Sequence, residues 1–123
     1  SNIEIIGCQP EASAVMAHSI ESGRIVEVKS GPTLSDGTAG GIEKDAITFD
    51  LCKHLVDYYA LISEQEIIEN IQTFLDTHRM LIEGAAGVAL AGFLANKEKY
   101  VGKKVVVVVC GGNIARKTLA SII

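Results

Sequence analysis

Three short stretches of this 123-residue chain hold residue types in patterns that chemistry could use. The first is Cys110-Gly111-Gly112-Asn113, which follows the unbroken valine run Val105 to Val109. The second is the loop Ser35-Asp36-Gly37-Thr38-Ala39-Gly40-Gly41. The third is Glu83, set between the apolar pair Leu81-Ile82 and a small-residue run from Gly84 to Gly92.

Each stretch admits a functional and a purely structural reading. A cysteine at the carboxyl end of a strand brings its thiol to the edge where ligands of α/β sheets gather. The two glycines after it allow backbone angles and close approaches that a side chain would block, and Asn113 can cap the helix that follows. The same cysteine can equally be a small buried hydrophobe before a plain turn. The Ser35–Gly41 loop could lay N–H groups around a phosphate, yet it has neither the Walker lysine nor the dinucleotide spacing. It can also be backbone lying close to a flat ligand, or a simple turn. Glu83 sits where a helix macrodipole favours a carboxylate by tenths of a kcal/mol to about one. A buried acid beside a ligand is the sharper alternative, because a buried charge demands a partner.

The elements that must position these groups alternate. Ile3–Gly7 reads as a strand. Pro10 and Glu11 open a helix from Ala12 to about Ser22, closed by Gly23. Arg24–Val28 is a short alternating strand, and Ser30–Asp45 a loop. Ile47–Val56 has helical spacing and Tyr58–Ile62 is a strand. Ser63-Glu64-Gln65-Glu66 is a capping box before a helix whose face carries Ile67, Ile68, Ile71, Phe74, Leu75 and Leu81. A small-residue helix follows at about Ala85–Asn96, then the valine strand, then a helix from Ile114 to Ile123. Strands that are continuous apolar runs alternating with helices predict an α/β fold, a mostly parallel sheet with helices on both faces. Residues 1–123 form one such unit. The chain opens in a strand and closes inside an apolar helix, which suggests a piece of a larger catalytic domain.

Composition excludes several classes. A net charge of −4 with scattered Lys and Arg offers no electrostatic footprint for nucleic acid. No apolar run reaches the roughly 20 residues of a membrane span. The three cysteines, Cys8, Cys52 and Cys110, are odd in number and far apart, which suits a reducing, cytoplasmic setting. His18, His54 and His78 have no zinc-ligand spacing, and no metal site is expected.

Taken in order, IIGCQPE, LSDGTAGG, ITFDLCKHLVD, LISEQEI, LIEGAAGVALAGFL and VVVVVCGGNIA resemble the C-terminal part of pyridoxal-phosphate-dependent serine/threonine dehydratases. These enzymes belong with serine racemase and the tryptophan synthase β-like (fold type II) group. The resemblance implies part of that group's large domain and pyridoxal 5'-phosphate as cofactor. Cys110 falls where the family places a Ser, Thr or Cys against the pyridine nitrogen, with Gly111 and Gly112 giving the ring room. Gly37 matches a backbone position beside the cofactor, and Glu83 an acid near the ring. The implied reaction is α-proton abstraction, β-elimination of water, and hydrolysis of the released enamine to a 2-keto acid and ammonia. The implied substrate is a hydroxy amino acid, L-threonine or L-serine, and the implied assembly a homo-oligomer.

Two departures accompany the resemblance. The family's Schiff-base lysine motif and its phosphate loop have no counterpart here, so this chain alone is expected to hold no catalytic lysine and to be inactive. Some relatives bind a divalent cation after the opening strand, whereas the matching positions here are Gln9, Ser13 and Val15, which supply no charged oxygen. Dehydration of another 3-hydroxy amino acid, as in hydroxyectoine breakdown, is the nearest alternative, with racemisation behind it. A non-catalytic α/β effector-binding module is an alternative of a different class.

Overall fold

The computed structural model describes residues 2–123. Two parallel strands, β1 (Ile6–Pro10) and β2 (Tyr58–Ile62), pair in the register Ile6 with Tyr58 through Pro10 with Ile62. Asp57 prolongs the ladder by one residue: its N–H donates to the Ile5 carbonyl at 2.8 Å, and its Oδ2 accepts the Ile5 N–H at 2.7 Å. Gly7 faces Tyr59, whose ring occupies the space that any side chain at position 7 would need.

Helices cover both faces of this pair. On one side lie α1 (Val15–Glu21) and α2 (Ile47–Leu55). Ala17, His18 and Ile20 of α1 line a shallow cleft with Tyr59 and Leu61 of β2, and burial together with the Cys52 thiol of α2 pushes the Tyr59 hydroxyl up. On the other side α4 (Gly84–Leu94) crosses the strands, with α3 (Glu64–His78) packed on it. The core is Ile62, Ile67, Ile71, Ile82, Ala86, Val88 and Ala91, closed by Ile122 of α5 (Arg116–Ile122). The Ile122 carbonyl accepts from Gln72 Nε2, tying α5 back to α3.

Local sequence explains most of these elements. The capping box is complete: Ser63 Oγ accepts the Glu66 N–H, and Glu66 Oε2 accepts the Ser63 N–H at 2.9 Å. Arg79 ends α3 in the left-handed region at φ 57°, so Leu81 leaves the helical face and is exposed. α4 is the small-residue helix, and its bareness is steric. A methyl on Gly92 would stand 2.5 Å from Cys8 Sγ, and one on Gly87 3.0 Å from Ile71 Cγ1. The contact that buries Cys8 raises its pKa by desolvation.

Several expectations are corrected. Arg24–Val28 forms no strand: Ser19 takes its backbone instead, through Arg24 N–H to the Ser19 carbonyl and Val26 N–H to Ser19 Oγ, both at 3.1 Å. The first helix is a 3₁₀ turn, Glu11–Ser13, followed by the shorter α1. Val105–Val109 is not a buried strand either. Val106 is 89% and Val108 68% exposed, and the segment joins no ladder among the described residues. Strand propensity is satisfied only by neighbours that supply hydrogen bonds and cover, and β1 and β2 pair with each other.

Two outcomes follow for urea unfolding. Gly84→Ala places a methyl inside the Leu34 carbonyl and costs about 1–3 kcal/mol, whereas Gly41→Ala, with open space around it, stays within about 0.5 kcal/mol. Ser63→Ala costs about 1 kcal/mol. The Ser63 hydrogen bonds lower the Glu66 pKa, so the box stabilises fully above the ordinary carboxylate range and is lost as pH falls through the lowered value. The alanine variant loses that acid-side dependence.

Candidate active site

The Glu83 carboxylate is the meeting point of the three stretches. Glu83 is the N-cap residue of α4, but its side chain makes no capping bond. The carboxylate turns away from the helix, and Oε2 accepts the Asn113 N–H at 3.0 Å. The Glu83 N–H in turn donates to the Gly111 carbonyl at 3.0 Å. Helix-end electrostatics alone would leave the carboxylate over its own N–H groups. Here it is shared with a second segment far along the chain.

That pairing explains the glycines after Cys110. Gly111 has φ 151°, a backbone that side chains rarely adopt, and a Cβ there would overlap the Glu83 carboxylate. A Cβ on Gly112 would stand 3.0 Å from the Leu81 carbonyl. The bare backbone is thus already required by contacts within the chain. Cys110 itself is a free, exposed thiol beside this junction. Asn113 does not cap the last helix, which starts after Ala115 without a side-chain cap. Its contribution is a backbone N–H, which residue type could not have signalled.

Gly37 lies near the same carboxylate. It lies in a single 3₁₀ turn, Asp36–Thr38, and the nearest atom that a Cβ at 37 would meet is Glu83 Oε1 at 4.0 Å. Four of the loop's N–H groups are already engaged. Gly37 donates to Asp36 Oδ1 at 2.8 Å, Thr38 to the Ser35 carbonyl at 3.0 Å, Ala39 to the Asp36 carbonyl at 3.2 Å, and Gly40 to Ser13 Oγ at 3.1 Å. A phosphate cradle would need those donors free, so the loop serves as closely placed backbone. A cleft of about 390 Å³ runs along its outer side, between Gln9, Met16, Thr38, Glu43 and Thr48.

All eight lysines, Lys29, Lys44, Lys53, Lys97, Lys99, Lys103, Lys104 and Lys117, are exposed. Gln9 Oε1 accepts the Ala17 N–H at 2.8 Å, and Val15 is buried. Of the sequence-predicted residues, Gly37 and Gly111 lie around Glu83, Gly112 lies against the Leu81 carbonyl, and Cys110 precedes them in the chain, while the Asn113 N–H is an addition from the tertiary structure. The residues present fit a flat cofactor edge: glycine backbone near one carboxylate, and an accessible thiol next to it in the chain.

Comparison with known proteins gives the family. A family model described as pyridoxal-phosphate dependent enzyme matches residues 1–111. The L-threonine ammonia-lyase of Geobacter sulfurreducens is 35% identical over 123 residues, which are 99% of this chain and 30% of that protein. The L-threo-3-hydroxyaspartate ammonia-lyase of Saccharomyces cerevisiae is 32% identical over 98% of this chain and 36% of its own length. Among solved structures, the processed form of threonine deaminase isoform 2 from Solanum lycopersicum superposes with a TM-score of 0.88 at 30% identity, covering 98% of this chain and 36% of that one. The chain spans about a third of the length of these relatives. Fold, site and similarity together make this chain a member of the pyridoxal-phosphate-dependent enzyme family.

Proposed function

We propose that this chain forms one wall of the cofactor site in a lyase that dehydrates and deaminates L-threonine or L-serine to a 2-keto acid and ammonia. The observation that carries the reading is the convergence of Gly37, Gly111 and Asn113 on the single carboxylate of Glu83, next to the Cys110 thiol. Likeness to threonine ammonia-lyases supplies the reaction class. When bound, pyridoxal phosphate supplies the electron sink for the carbanion at the substrate Cα.

The chain's own residues then have separate tasks. Cys110 would present a thiol to the pyridine nitrogen of the bound cofactor, which would leave that nitrogen without the counter-charge of a carboxylate. Weaker electron withdrawal favours prompt loss of the β-hydroxyl over a long-lived carbanion. Gly111 and Gly112 keep side-chain bulk off the ring. Glu83 holds the Cys110 segment in place, through its N–H to the Gly111 carbonyl and its Oε2 from the Asn113 N–H, with the Gly37 turn alongside its other oxygen.

In this reading the base and covalent anchor come from elsewhere in a longer protein, and the exposure of every lysine here supports that. The exposed valine segment, with Ile3 and Ile5 also exposed, supports the reading that further strands complete the sheet. Such apolar edges would otherwise pair with other chains. The working assembly is then a homo-oligomer in the cytoplasm, where Cys8, Cys52 and Cys110 stay reduced. No described helix is long and apolar enough to cross a membrane.

A second reading, dehydration of another 3-hydroxy amino acid, draws on the likeness to the 3-hydroxyaspartate enzyme. Comparing kcat/KM for L-threonine, L-serine and L-threo-3-hydroxyaspartate decides between the two. Threonine or serine is expected to lead by about tenfold or more, a difference of ~1.4 kcal/mol in transition-state binding. Leadership by the hydroxyaspartate would select the second.

In the full-length protein, Cys110→Asp is expected to lower kcat for dehydration by roughly tenfold or more, while Cys110→Ser keeps most of it. An aspartate variant with wild-type kcat refutes the role given to the thiol. The chain by itself, mixed with pyridoxal phosphate and L-threonine, is expected to release no ammonia above a buffer control. Release of ammonia at an enzymatic rate would show that one of its lysines serves after all.

A further inference from the structure

Glu64 has an unexplained side chain. It occupies the first position of α3, where an acid is ordinarily assigned to the helix macrodipole. The capping of α3 is complete without it, because Ser63 and Glu66 satisfy one another. Its carboxylate reaches out of the helix into the Gly37 loop, where Oε2 accepts the Leu34 N–H at 2.8 Å, thirty residues back in the chain. The other oxygen, Oε1, is buried and has no hydrogen-bond partner. A carboxylate kept in so poor a solvation site is better explained by a positional task than by generic helix-end charge.

The peptide it holds is the one on which the site's geometry turns. Gly84 of α4 lies directly against the Leu34 carbonyl, and a Cβ there would stand 2.6 Å from the Ser35 nitrogen. The Leu34–Ser35 peptide is therefore held between α3 and α4. Gly84 is the neighbour of Glu83, and Ser35 begins the turn that carries Gly37. Ser35 is fully buried, and its hydroxyl lies 2.6 Å from Thr38 Oγ1, which makes the turn a rigid continuation of that peptide. A shift at Leu34 would be transmitted to the space between Gly37 and the Glu83 carboxylate.

We propose that Glu64 is a positioning residue: by holding the Leu34–Ser35 peptide against Gly84 it sets the separation of Gly37 from Glu83, and with it the fit of the cofactor edge. The inference rests on the cofactor-wall reading above, and the test separates the two. Glu64→Ala and Glu64→Gln are made in the full-length protein, and hydrogen–deuterium exchange is followed at the Leu34 amide and along α3. Pyridoxal phosphate affinity is measured by equilibrium dialysis.

In the alanine variant the Leu34 amide is expected to exchange about tenfold faster or more, with Ile67 and Ile71 unchanged, and the dissociation constant for pyridoxal phosphate to rise several-fold. Glutamine keeps a carbonyl acceptor for Leu34 and is expected to restore both. Unchanged Leu34 exchange in the alanine variant overturns the proposal. So does faster exchange spread evenly over α3, which is the signature of lost helix-end electrostatics. A loosened Leu34 with unaltered cofactor affinity also overturns it, since the anchor would then not govern the site. A wild-type protein that binds no pyridoxal phosphate would remove the cofactor-wall reading, and the exchange pattern would still decide whether Glu64 anchors the loop.

Discussion

The close approach of α4 is the constraint from which the rest of this structure follows. A helix can touch a sheet, a second helix and a loop at once only if the contacting positions carry almost no side chain. Gly84 meets the Leu34 peptide, Gly87 meets Ile67 and Ile71, and Gly92 meets Cys8 and Ala60. Glycine weakens a helix by roughly 1 kcal/mol per position relative to alanine. The burial of Ile67, Ile71, Ile82 and Val88 around α4 offsets that, at about 25 cal/mol per Å² of apolar surface removed from water. Packing decides the helix, and propensity does not.

The same closeness makes the site. Because α4 begins against the Leu34–Ser35 peptide, its N-cap residue, Glu83, arrives beside the Gly37 turn. Glu83 then receives the Cys110–Asn113 segment through its backbone N–H and one carboxylate oxygen. Three distant parts of the chain meet around one acid, and two hydrogen bonds join Glu83 to the Gly111–Asn113 segment. The proposed cofactor role uses features that the fold needs in any case: bare backbone at Gly111 and Gly112 and a fixed negative charge.

Similarity to threonine ammonia-lyases and a threonine deaminase assigns this chain to a family, and the exposed valine segment is the feature least at home in a self-sufficient sheet. An apolar run of that kind finds its partners in strands on either side. In the proposed full-length enzyme those strands would cover it, and the thiol at its end would then face the ring. Elsewhere the surface carries ordinary local arrangements. One is the Tyr58–Tyr100 hydroxyl pair at 2.5 Å, which pushes the Tyr58 hydroxyl up to about 12 and pins the Lys97–Tyr100 turn to β2.

What the sequence determined by itself is local. The Ser63–Glu66 box, the strand Tyr58–Ile62, the helix from Ile47 and the small-residue helix were legible because each depends on residues within a few positions of one another. The motif order was legible too, and it pointed to Cys110, Glu83 and the glycines. Tertiary structure decided where hydrogen-bond partners come from. It diverted Arg24–Val28 to Ser19, left Val105–Val109 without a ladder, and gave the Asn113 N–H to Glu83 instead of letting its side chain cap α5. It also aimed Glu64 at a loop thirty residues away. Backbone donors look alike in every residue, so no pattern of side chains could have announced these pairings; only packing brings the two ends together.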